Sequence, residues 1–362
     1  MSEEISVSVV VPVFNGIKFI KSCFETLSQQ TFSKKFEVIM IDDGSTDASL
    51  DEIKKIKLPN FKFFKNKENA GVSVARNIGI EKSNGQYIYF MDVDDTIDKD
   101  AITILYSVAK KYDCDYVFSD YKRIINSQNE RANTFIYEQN KIFDKNELFR
   151  FMKKEIYNPS SGHLGLFGCN GRLIKKSILK KNNIFFEKKL RYFEDKLFSW
   201  DLFKYINSAR YIRNQLYFYN VRPNEVSSVI SSISNNFKVE YFKLVANKIK
   251  SSFEAFKVKG SDLEELVSQS LIFYIITLLV SYSRSLEQGK VEYEFGKKTR
   301  RKIIDEILND TEVVNAAKKY KPSSNESKLI PFAISMRSRF FLELSCALRA
   351  KEVVKLRQSG KQ

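Results

Sequence analysis

Two stretches in the first hundred residues pass from an apolar run straight into acidic residues: FEVIMIDDGSTD at residues 36–47 and YIYFMDVDD at residues 87–95. Each apolar run lacks the alternation of a half-exposed strand, which predicts strands buried on both faces of a parallel sheet. The acidic residues then fall at the carboxyl ends of these strands, where open α/β sheets bind their ligands. The pattern therefore predicts a fold class and the edge of the sheet that carries a site.

The neighbouring segments extend this pattern into alternating strands and helices. Val7–Phe14 is a further buried run that Asn15 and Gly16 end, and Phe61–Phe64 is a short strand. Apolar residues recur at helical spacing between the strands, at Ile17, Ile20, Phe24 and Leu27, at Leu50, Ile53 and Ile56, and within Ala70–Ile80. Alternating β and α elements with buried strands predict a mostly parallel, doubly wound α/β sheet.

Length and pattern divide the chain into two parts. The 362 residues exceed the usual size of one domain, which predicts two domains. Mixed helix and strand patterns continue to about residue 228, whereas amphipathic helical patterns dominate residues 229–362. We therefore expect a domain boundary near residue 228, followed by a smaller, mostly α-helical region.

Composition limits the classes of function. Lys and Arg number 60 against 44 Asp and Glu, a net charge of +16, which favours nucleic acid, an anionic membrane or phosphorylated ligands as partners. The four cysteines form no CxxC pair, which disfavours a zinc or redox site, and His163 is the one histidine. The acidic N-terminus does not resemble a signal peptide. The apolar run Leu271–Val280 is shorter than the roughly 20 residues that span a bilayer.

Several polar residues have the chemistry needed to act on a phosphorylated ligand. Asp92 and Asp94 offer hard oxygen ligands for Mg²⁺ or Mn²⁺. Asp42 can accept hydrogen bonds from a base or a ribose, and the guanidinium of Arg76 can pair with phosphate. Asp195, at the start of a helical pattern, can act as a general base. Each of them also has a structural alternative as a helix cap, a solvated turn or a surface charge.

Four motifs in order resemble glycosyltransferase family 2, the large GT-A family of inverting enzymes that use nucleotide sugars. They are VSVVVPVFN at residues 7–15, VIMIDDGSTD at residues 38–47, NAGVSVARN at residues 69–77 and YFMDVDD at residues 89–95. The basic segment GRLIKK at residues 171–176, the pair Glu194–Asp195, Arg222 and Ser227–Ser228 agree with later parts of the family pattern. The resemblance spans about residues 6–228.

This resemblance implies roles for individual residues. The donor-binding residues that it implies are Pro12, Val13, Asn15, Asp42, Asn69, Arg76, Asp92 and Asp94. Asp42 would face the base, Asp94 would be the protein ligand of a divalent metal, and Asp195 would be the catalytic base. The residues expected to contact the donor sugar or the acceptor are Glu194, Asp95, His163, Arg172 and Arg222.

The resemblance also implies a reaction and its partners. Residues 1–98 would form the nucleotide-sugar-binding half of a GT-A domain, and residues 99–228 the acceptor-binding half. The expected donor is a UDP-hexose or UDP-N-acetylhexosamine, with Mn²⁺ or Mg²⁺ as cofactor. The expected acceptor is a hydroxyl of a glycan, a lipid-linked glycan or a cell-wall polymer. We expect an enzyme of cell-envelope polysaccharide biosynthesis, in the cytoplasm or on the inner face of the membrane, without a nucleic-acid partner.

Other interpretations stay open at this point. Residues 92–97 also resemble the nucleophile motif of haloacid-dehalogenase-type phosphatases, with Asp92 as nucleophile and Asp94 as acid/base. A net charge of +16 also permits a non-enzymatic basic binding module. In the helical region 229–362, an amphipathic helix predicted over Phe332–Val354 fits either attachment to an anionic membrane or packing against protein, including a second subunit.

Overall fold

The computed structural model describes most of the chain and divides it into two compact units. The described residues are 4–125, 139–157, 168–190, 192–221, 237–291, 293–322 and 326–358. The first unit comprises residues 1–148 and 163–223, and the second comprises residues 149–162 and 224–362. The domain boundary expected near residue 228 stays a prediction. Residues 149–162 group with the second unit although they precede it in sequence.

Four parallel strands form one half of the sheet in the first unit. They are β1 (Val7–Val13), β2 (Phe36–Asp42), β3 (Phe61–Lys65) and β4 (Tyr87–Phe90), in the spatial order β3-β2-β1-β4. β1 is buried along its whole length, as expected for a strand that is covered on both faces of the sheet. The predicted α/β class is therefore confirmed, and these strands are parallel as expected.

The other half of the sheet is mixed. Its strands are β5 (Thr96–Ile97), β6 (Tyr116–Ile125), β7 (Lys141–Phe143), β8 (Arg172–Lys175) and β9 (Ala209–Val221). β8 pairs antiparallel with both β4 and β6, whereas β9 pairs parallel with β6. β5 and β7 each pair antiparallel with β9. The continuous parallel arrangement is confined to the first half because the antiparallel partner of β4 ends it.

Helices connect the strands of the first unit. They are α1 (Ile17–Ser28), α2 (Ser49–Lys54), α3 (Val72–Lys82), α4 (Ala101–Lys111), α5 (Lys145–Tyr157, which continues into the second unit), α6 (Lys176–Lys181) and α7 (Glu194–Phe203). α3 packs very closely on β1: a Cβ added at Gly79 would lie 2.1 Å from Cγ1 of Val10. Glycine is the residue that permits this approach. The approach fixes α3, and with it Arg76, against the central strands.

Helices form the described part of the second unit beyond residue 237. They are α8 (Val239–Ala255), α9 (Gly260–Glu287), α10 (Tyr293–Asn309), α11 (Thr311–Lys319), α12 (Leu329–Ser335) and α13 (Arg339–Gln358). One helix in the described part of the chain, α9, is long and apolar enough to cross a membrane, by length and composition alone. However, 67% of its most apolar window is buried among the protein's own residues, as in a central core helix.

The prediction of one continuous helix over Phe332–Val354 is wrong. The helix is interrupted between α12 and α13, where Arg337 has a φ of +53°. The N–H of Leu342 donates to the main-chain oxygen of Ser338 at 3.0 Å, and the N–H of Phe341 lies 3.4 Å from the Ser338 hydroxyl. Ser338 therefore begins a new helix, as serine commonly does at an N-terminus.

Candidate active site

The polar residues that follow β1, β2 and β4 gather at one edge of the sheet. In the parallel register Val13 pairs with Asp42, and Val10 pairs with Phe90. β1 lies between β2 and β4, so the turns that follow these strands emerge side by side. Parallel strands thus bring together the acidic segments that are far apart in sequence.

Asn15 connects two of these turns. Its φ of +49° lies in the left-handed region, which asparagine tolerates better than most residues. Its side-chain oxygen accepts hydrogen bonds from the N–H groups of Thr46 at 2.8 Å and Asp47 at 3.3 Å, and its own N–H donates to Ser45 Oγ at 3.0 Å. Asn15 therefore holds the turn after β2 against the end of β1. Its predicted contact with a donor stays a prediction.

The two carboxylates at the end of β2 have different surroundings. Asp43 accepts hydrogen bonds from Asn66 Nδ2 at 2.7 Å, from Ala70 N at 3.1 Å and from Gly71 N at 2.7 Å. Asp42 Oδ1 accepts one main-chain hydrogen bond at 3.2 Å, and its buried Oδ2 has no hydrogen-bond partner among the described residues. A buried polar atom without a partner costs free energy, so Asp42 Oδ2 has capacity for an N–H or O–H group of a ligand.

Gly44 lets the turn after β2 approach the loop before α3. Its φ is +72°, and an added Cβ would lie 2.5 Å from the carbonyl carbon of Glu68 and 2.7 Å from the nitrogen of Asn69. A residue with a side chain would therefore push the two loops apart. The close approach brings Asn69 beside the Asp42 turn.

Arg76 joins the acidic turn after β4 to the start of α7. Its side chain is 4% exposed, with Nη2 2.9 Å from Asp92 Oδ1 and Nη1 3.0 Å from Glu194 Oε1. The guanidinium also lies over the ring of Phe186, 5.3 Å from the ring centroid. Asn170 Nδ2 donates to the other oxygen of Asp92 at 2.6 Å. A buried guanidinium between two carboxylates fixes both of them in position.

Asp92, Asp94 and Asp95 form a carboxylate cluster whose ligand oxygens lie within 4.8 Å of one another. Asp95 is fully buried and accepts hydrogen bonds from the Tyr217 hydroxyl at 2.5 Å and from Asn220 N at 2.9 Å. Its burial, together with the charges of Asp92 and Asp94, raises the pKa of Asp95 well above its usual range. Asp94 is half-buried. Its hard carboxylate oxygens fit Mg²⁺ or Mn²⁺, whereas Asp95 supports the turn from behind.

The second acidic pair begins α7. Phe193, immediately before it, has a φ of +60°, an uncommon conformation for a residue with a side chain. Asp195 Oδ1 accepts a hydrogen bond from Lys196 N at 2.7 Å, and the helix N-terminus favours a carboxylate there. Burial nevertheless raises the pKa of Asp195 although Lys196 and Arg76 oppose it, and burial likewise raises the pKa of Glu194. A carboxylate with a raised pKa is a better proton acceptor once it is ionised.

The remaining predicted site residues occupy different positions. Pro12 and Val13 are buried at the end of β1. Arg172 is 1% exposed and donates through Nη1 to a main-chain oxygen at 2.9 Å, which favours a role in the core over contact with a sugar. His163 and Arg222 lie outside the described residues.

Several residues that shape the site were missed at the level of sequence. Tyr217 and Asn220 on β9 and Asn170 before β8 all bond to the turn after β4. Asn77 bonds to the main chain of Phe186 in both directions, at 2.8 Å each, and so holds the residue on which Arg76 lies. Asn77 follows Arg76 inside a recognised motif, which was a usable signal. Nothing in the sequence indicated the other three.

A family match covers the part of the chain that carries these turns. The description Glycosyl transferase family 2 matches residues 8–182, which include β1 to β4, α3 and the carboxylate cluster. Residues 8–182 therefore carry a domain of glycosyltransferase family 2. This match favours a glycosyltransferase over the phosphatase and binding-module interpretations.

Individual relatives and one solved structure agree with this family. Glycosyltransferase GlyA of Streptococcus pneumoniae is 27% identical over 230 residues, which are 62% of this chain but 32% of GlyA. The chain thus spans about a third of that relative. Poly(ribitol-phosphate) β-N-acetylglucosaminyltransferase TarP of Staphylococcus aureus is 29% identical over 255 residues, 69% of this chain and 72% of TarP.

The solved structure is that of S. aureus TarS 1-349 in complex with UDP-GlcNAc. It superposes with a TM-score of 0.67 at 18% identity and covers 99% of this chain and 93% of its own. At this level of identity the likeness concerns the fold, and it confirms the predicted GT-A architecture with a helical C-terminal region.

Proposed function

We propose that this family 2 enzyme transfers a hexose or N-acetylhexosamine from its UDP-sugar to a hydroxyl group of a cell-wall polymer. Two similar proteins support the choice of partners. The name of TarP gives poly(ribitol phosphate) as the acceptor and N-acetylglucosamine as the sugar, and TarS was crystallised with UDP-GlcNAc. A polyanionic acceptor of this kind also suits a chain with a net charge of +16.

The double ion pair of Arg76 is the observation that carries the proposal. It binds Asp92, which the donor sugar is expected to contact, and Glu194, the neighbour of Asp195, through the two terminal nitrogens of one guanidinium. A donor-binding turn and a candidate base are therefore close to one another. Inverting transfer needs this proximity because the acceptor hydroxyl must attack the anomeric carbon while a base lies within reach.

On the donor side, the chain's own residues bind and orient the nucleotide sugar. The unpartnered Asp42 Oδ2 accepts a hydrogen bond from an N–H group of the base. Asp92 is held from both sides by Arg76 and Asn170, so it presents a fixed acceptor to hydroxyl groups of the sugar. A divalent cation bound by Asp94 would act as a Lewis acid for the negative charge of the diphosphate leaving group.

On the acceptor side, Asp195 is the general base. Its carboxylate takes the proton of the acceptor hydroxyl while the hydroxyl oxygen forms its new bond to the anomeric carbon. The bond from that carbon to the diphosphate oxygen breaks on the opposite face, and the electron pair leaves with the UDP. Attack opposite to the leaving group inverts the configuration at the anomeric carbon. Glu194 is committed to Arg76 and therefore acts as a positioning residue.

A panel of nucleotide sugars tests the proposal. The purified enzyme is incubated with each sugar, with Mn²⁺ or Mg²⁺, and with or without poly(ribitol phosphate), and the release of nucleoside diphosphate and the transfer of sugar to polymer are measured. We expect UDP-sugars to be turned over fastest and polymer to accelerate the release of UDP. The loss of one general base lowers turnover by about 10²–10⁴-fold, so Asp195→Asn should fall by that much with its melting temperature unchanged.

Asp201→Asn is the matched control because Asp201 lies on the same helix, α7, and pairs with Lys204. It should retain turnover close to wild type. Turnover of Asp195→Asn within a few-fold of wild type would remove Asp195 as the base. The absence of UDP release with every donor would overturn the assignment of UDP-sugars.

A further inference from the structure

The last two helices of the second unit expose an unusual amount of apolar surface. Large apolar side chains between 45% and 71% exposed form what we call the outer face, which consists of Leu329, Phe332, Met336, Phe340, Phe341, Leu344 and Leu348. They include more than half of the exposed large hydrophobic residues in the described part of the chain, within twenty residues. Such a concentration of exposed apolar side chains is unusual for a surface that faces only water.

The outer face is distinct from the surface by which the same helices pack into their unit. Ile330, Ala333 and Ile334 of α12 are buried, as are Leu342 and Cys346 of α13. Each helix is therefore apolar on two sides, one facing the core and the other exposed. The exposed side is not needed for packing within the unit, which leaves it for a binding partner.

The outer face is bordered by positive charge. Residues 328–358 contain seven Lys and Arg against two Glu. Lys328, Arg337, Lys351 and Lys355 are exposed, and the two lysines continue the spacing of Phe341, Leu344 and Leu348 toward the end of α13. The two glutamates lie close to arginines, Glu352 to Arg349 at 2.6 Å and Glu343 to Arg301 at 3.9 Å. Basic residues therefore exceed acidic ones in the segment that carries the outer face.

We propose that the outer face of α12 and α13 is a binding surface for an anionic lipid membrane. Phenylalanine, leucine and methionine side chains enter the boundary between headgroups and acyl chains, while the bordering lysines and arginines meet lipid phosphates. The break at Arg337 separates α12, of seven residues, from α13, of twenty, and the opposite side of each helix is buried in the core of the unit. The outer face is therefore an in-plane anchor, and it does not cross the bilayer.

Charge favours a membrane over a second copy of the chain. A symmetric dimer would bring two identical faces together, and each carries this excess of basic residues. Like charges that face one another across an interface repel, whereas an anionic lipid surface attracts every one of them. The basic charge of the outer face thus attracts anionic phospholipid and repels a second copy of the same face.

Sedimentation of the full chain with sucrose-loaded vesicles tests the proposal. Vesicles contain phosphatidylcholine alone or phosphatidylcholine mixed with phosphatidylglycerol, and the bound fraction is measured as a function of lipid and salt concentration. We expect binding to the anionic vesicles, little binding to the neutral ones, and weakening with salt. Point substitutions are preferable to truncation, because the inner faces of α12 and α13 are part of the core.

Two sets of variants separate the apolar and the electrostatic contributions. The triple variant Phe340→Ser, Phe341→Ser, Leu344→Ser should weaken binding by at least about a hundredfold, because three large side chains lose their apolar contact. The double variant Lys351→Gln, Lys355→Gln should weaken it on the order of thirtyfold at low salt. The matched control is Phe63→Ser with Ile142→Ser, two exposed apolar residues of the first unit, which should bind like wild type.

Each variant is also characterised by its melting temperature, UDP release and mass by light scattering. Unchanged UDP release would show that membrane binding and catalysis are separate properties. Two results would overturn the proposal. One is equal vesicle binding by wild type and both variants. The other is a wild-type dimer that binds no vesicles and that the triple variant converts to a monomer, which would assign the outer face to a second copy. If the triple variant does not fold, the lysine variant alone decides.

Discussion

The acidic turns after β2 and after β4 are alike in sequence. In each turn, neighbouring carboxylates differ in their hydrogen bonds or in their burial. In the first turn, Asp43 accepts three hydrogen bonds from the loop before α3, while Asp42 keeps one buried oxygen without a partner. In the second turn, Asp95 is buried and bonded to β9, while Asp94 is half-buried. Each turn therefore has one carboxylate that holds the loops, and in the first turn Asp42 Oδ2 also has capacity for a ligand.

After β2, hydrogen-bond partners distinguish the supporting carboxylate of Asp43 from that of Asp42, although the two residues are adjacent in sequence. A carboxylate has about four acceptor sites, and main-chain N–H groups fill them wherever a loop needs support. The Glu194–Asp195 pair follows the same rule, since Glu194 is bound to Arg76 and Asp195 accepts one main-chain hydrogen bond. The following predictions test this division of roles.

Replacing the two carboxylates after β4 should give the largest contrast. Asp94→Asn removes a charged ligand, and a metal contributes several kcal/mol to catalysis, so turnover should fall about a hundredfold to a thousandfold. Asp95→Asn should change turnover less than about tenfold, because burial already favours the neutral carboxyl and an amide has a similar shape. Steady-state kinetics over a range of Mn²⁺ concentrations measures both. Equal losses in the two variants would contradict the division.

The pair after β2 should separate stability from donor binding. Asp43→Asn leaves one of its buried N–H donors facing an amide N–H₂ group, which should cost about 1–3 kcal/mol of unfolding free energy. Asp42→Asn should leave the melting temperature nearly unchanged and should weaken the affinity for UDP about tenfold. Thermal unfolding and titration calorimetry measure the two effects. If Asp42→Asn instead lowers the stability and Asp43→Asn weakens the binding of UDP, the roles of the two residues are exchanged.

Tyr217 supports the second turn from outside the acidic stretch. Its hydroxyl bonds to Asp95 and accepts the N–H of Asp92 at 3.2 Å, so Tyr217→Phe should cost about 1 kcal/mol of stability. Turnover should fall only a few-fold, since the phenyl ring still fills its place. Chemical denaturation measures the stability, and Tyr219→Phe, an exposed neighbour on β9, is the control.

The pH profile of turnover tests whether Asp195, rather than Glu194, is the general base. The base must be ionised, and burial raises the pKa of Asp195 above that of an exposed aspartate. Turnover should therefore decline on the acid side at a higher pH than an ordinary aspartate would give. Above that pH range Asp195 is ionised, and turnover should reach its maximum. The melting temperature is measured over the same range to exclude unfolding. An acid limb at the position of an exposed aspartate would argue for a different base.

The parallel half of the sheet and its acidic edge could be predicted because buried strands and amphipathic helices leave regular patterns in the sequence. β1 ends at Val13, one residue before the end of the predicted run Val7–Phe14. Tyr217 and Asn220 could not be predicted, since β9 reaches the turn after β4 through antiparallel and long-range pairing that no local pattern encodes. The different roles of Asp42 and Asp43 were also hidden, because they depend on which loop supplies N–H groups.

The position of Arg76 has a practical consequence for protein engineering. Its forked side chain serves two acids from separate parts of the chain, and a lysine, with a single charged point, would leave one of them without a counter-charge. Attempts to alter sugar or acceptor preference should therefore reshape the surrounding loops and keep this arginine. A library that varies position 76 would release both Asp92 and Glu194 from their common partner. Its members would therefore lose activity for reasons unrelated to specificity.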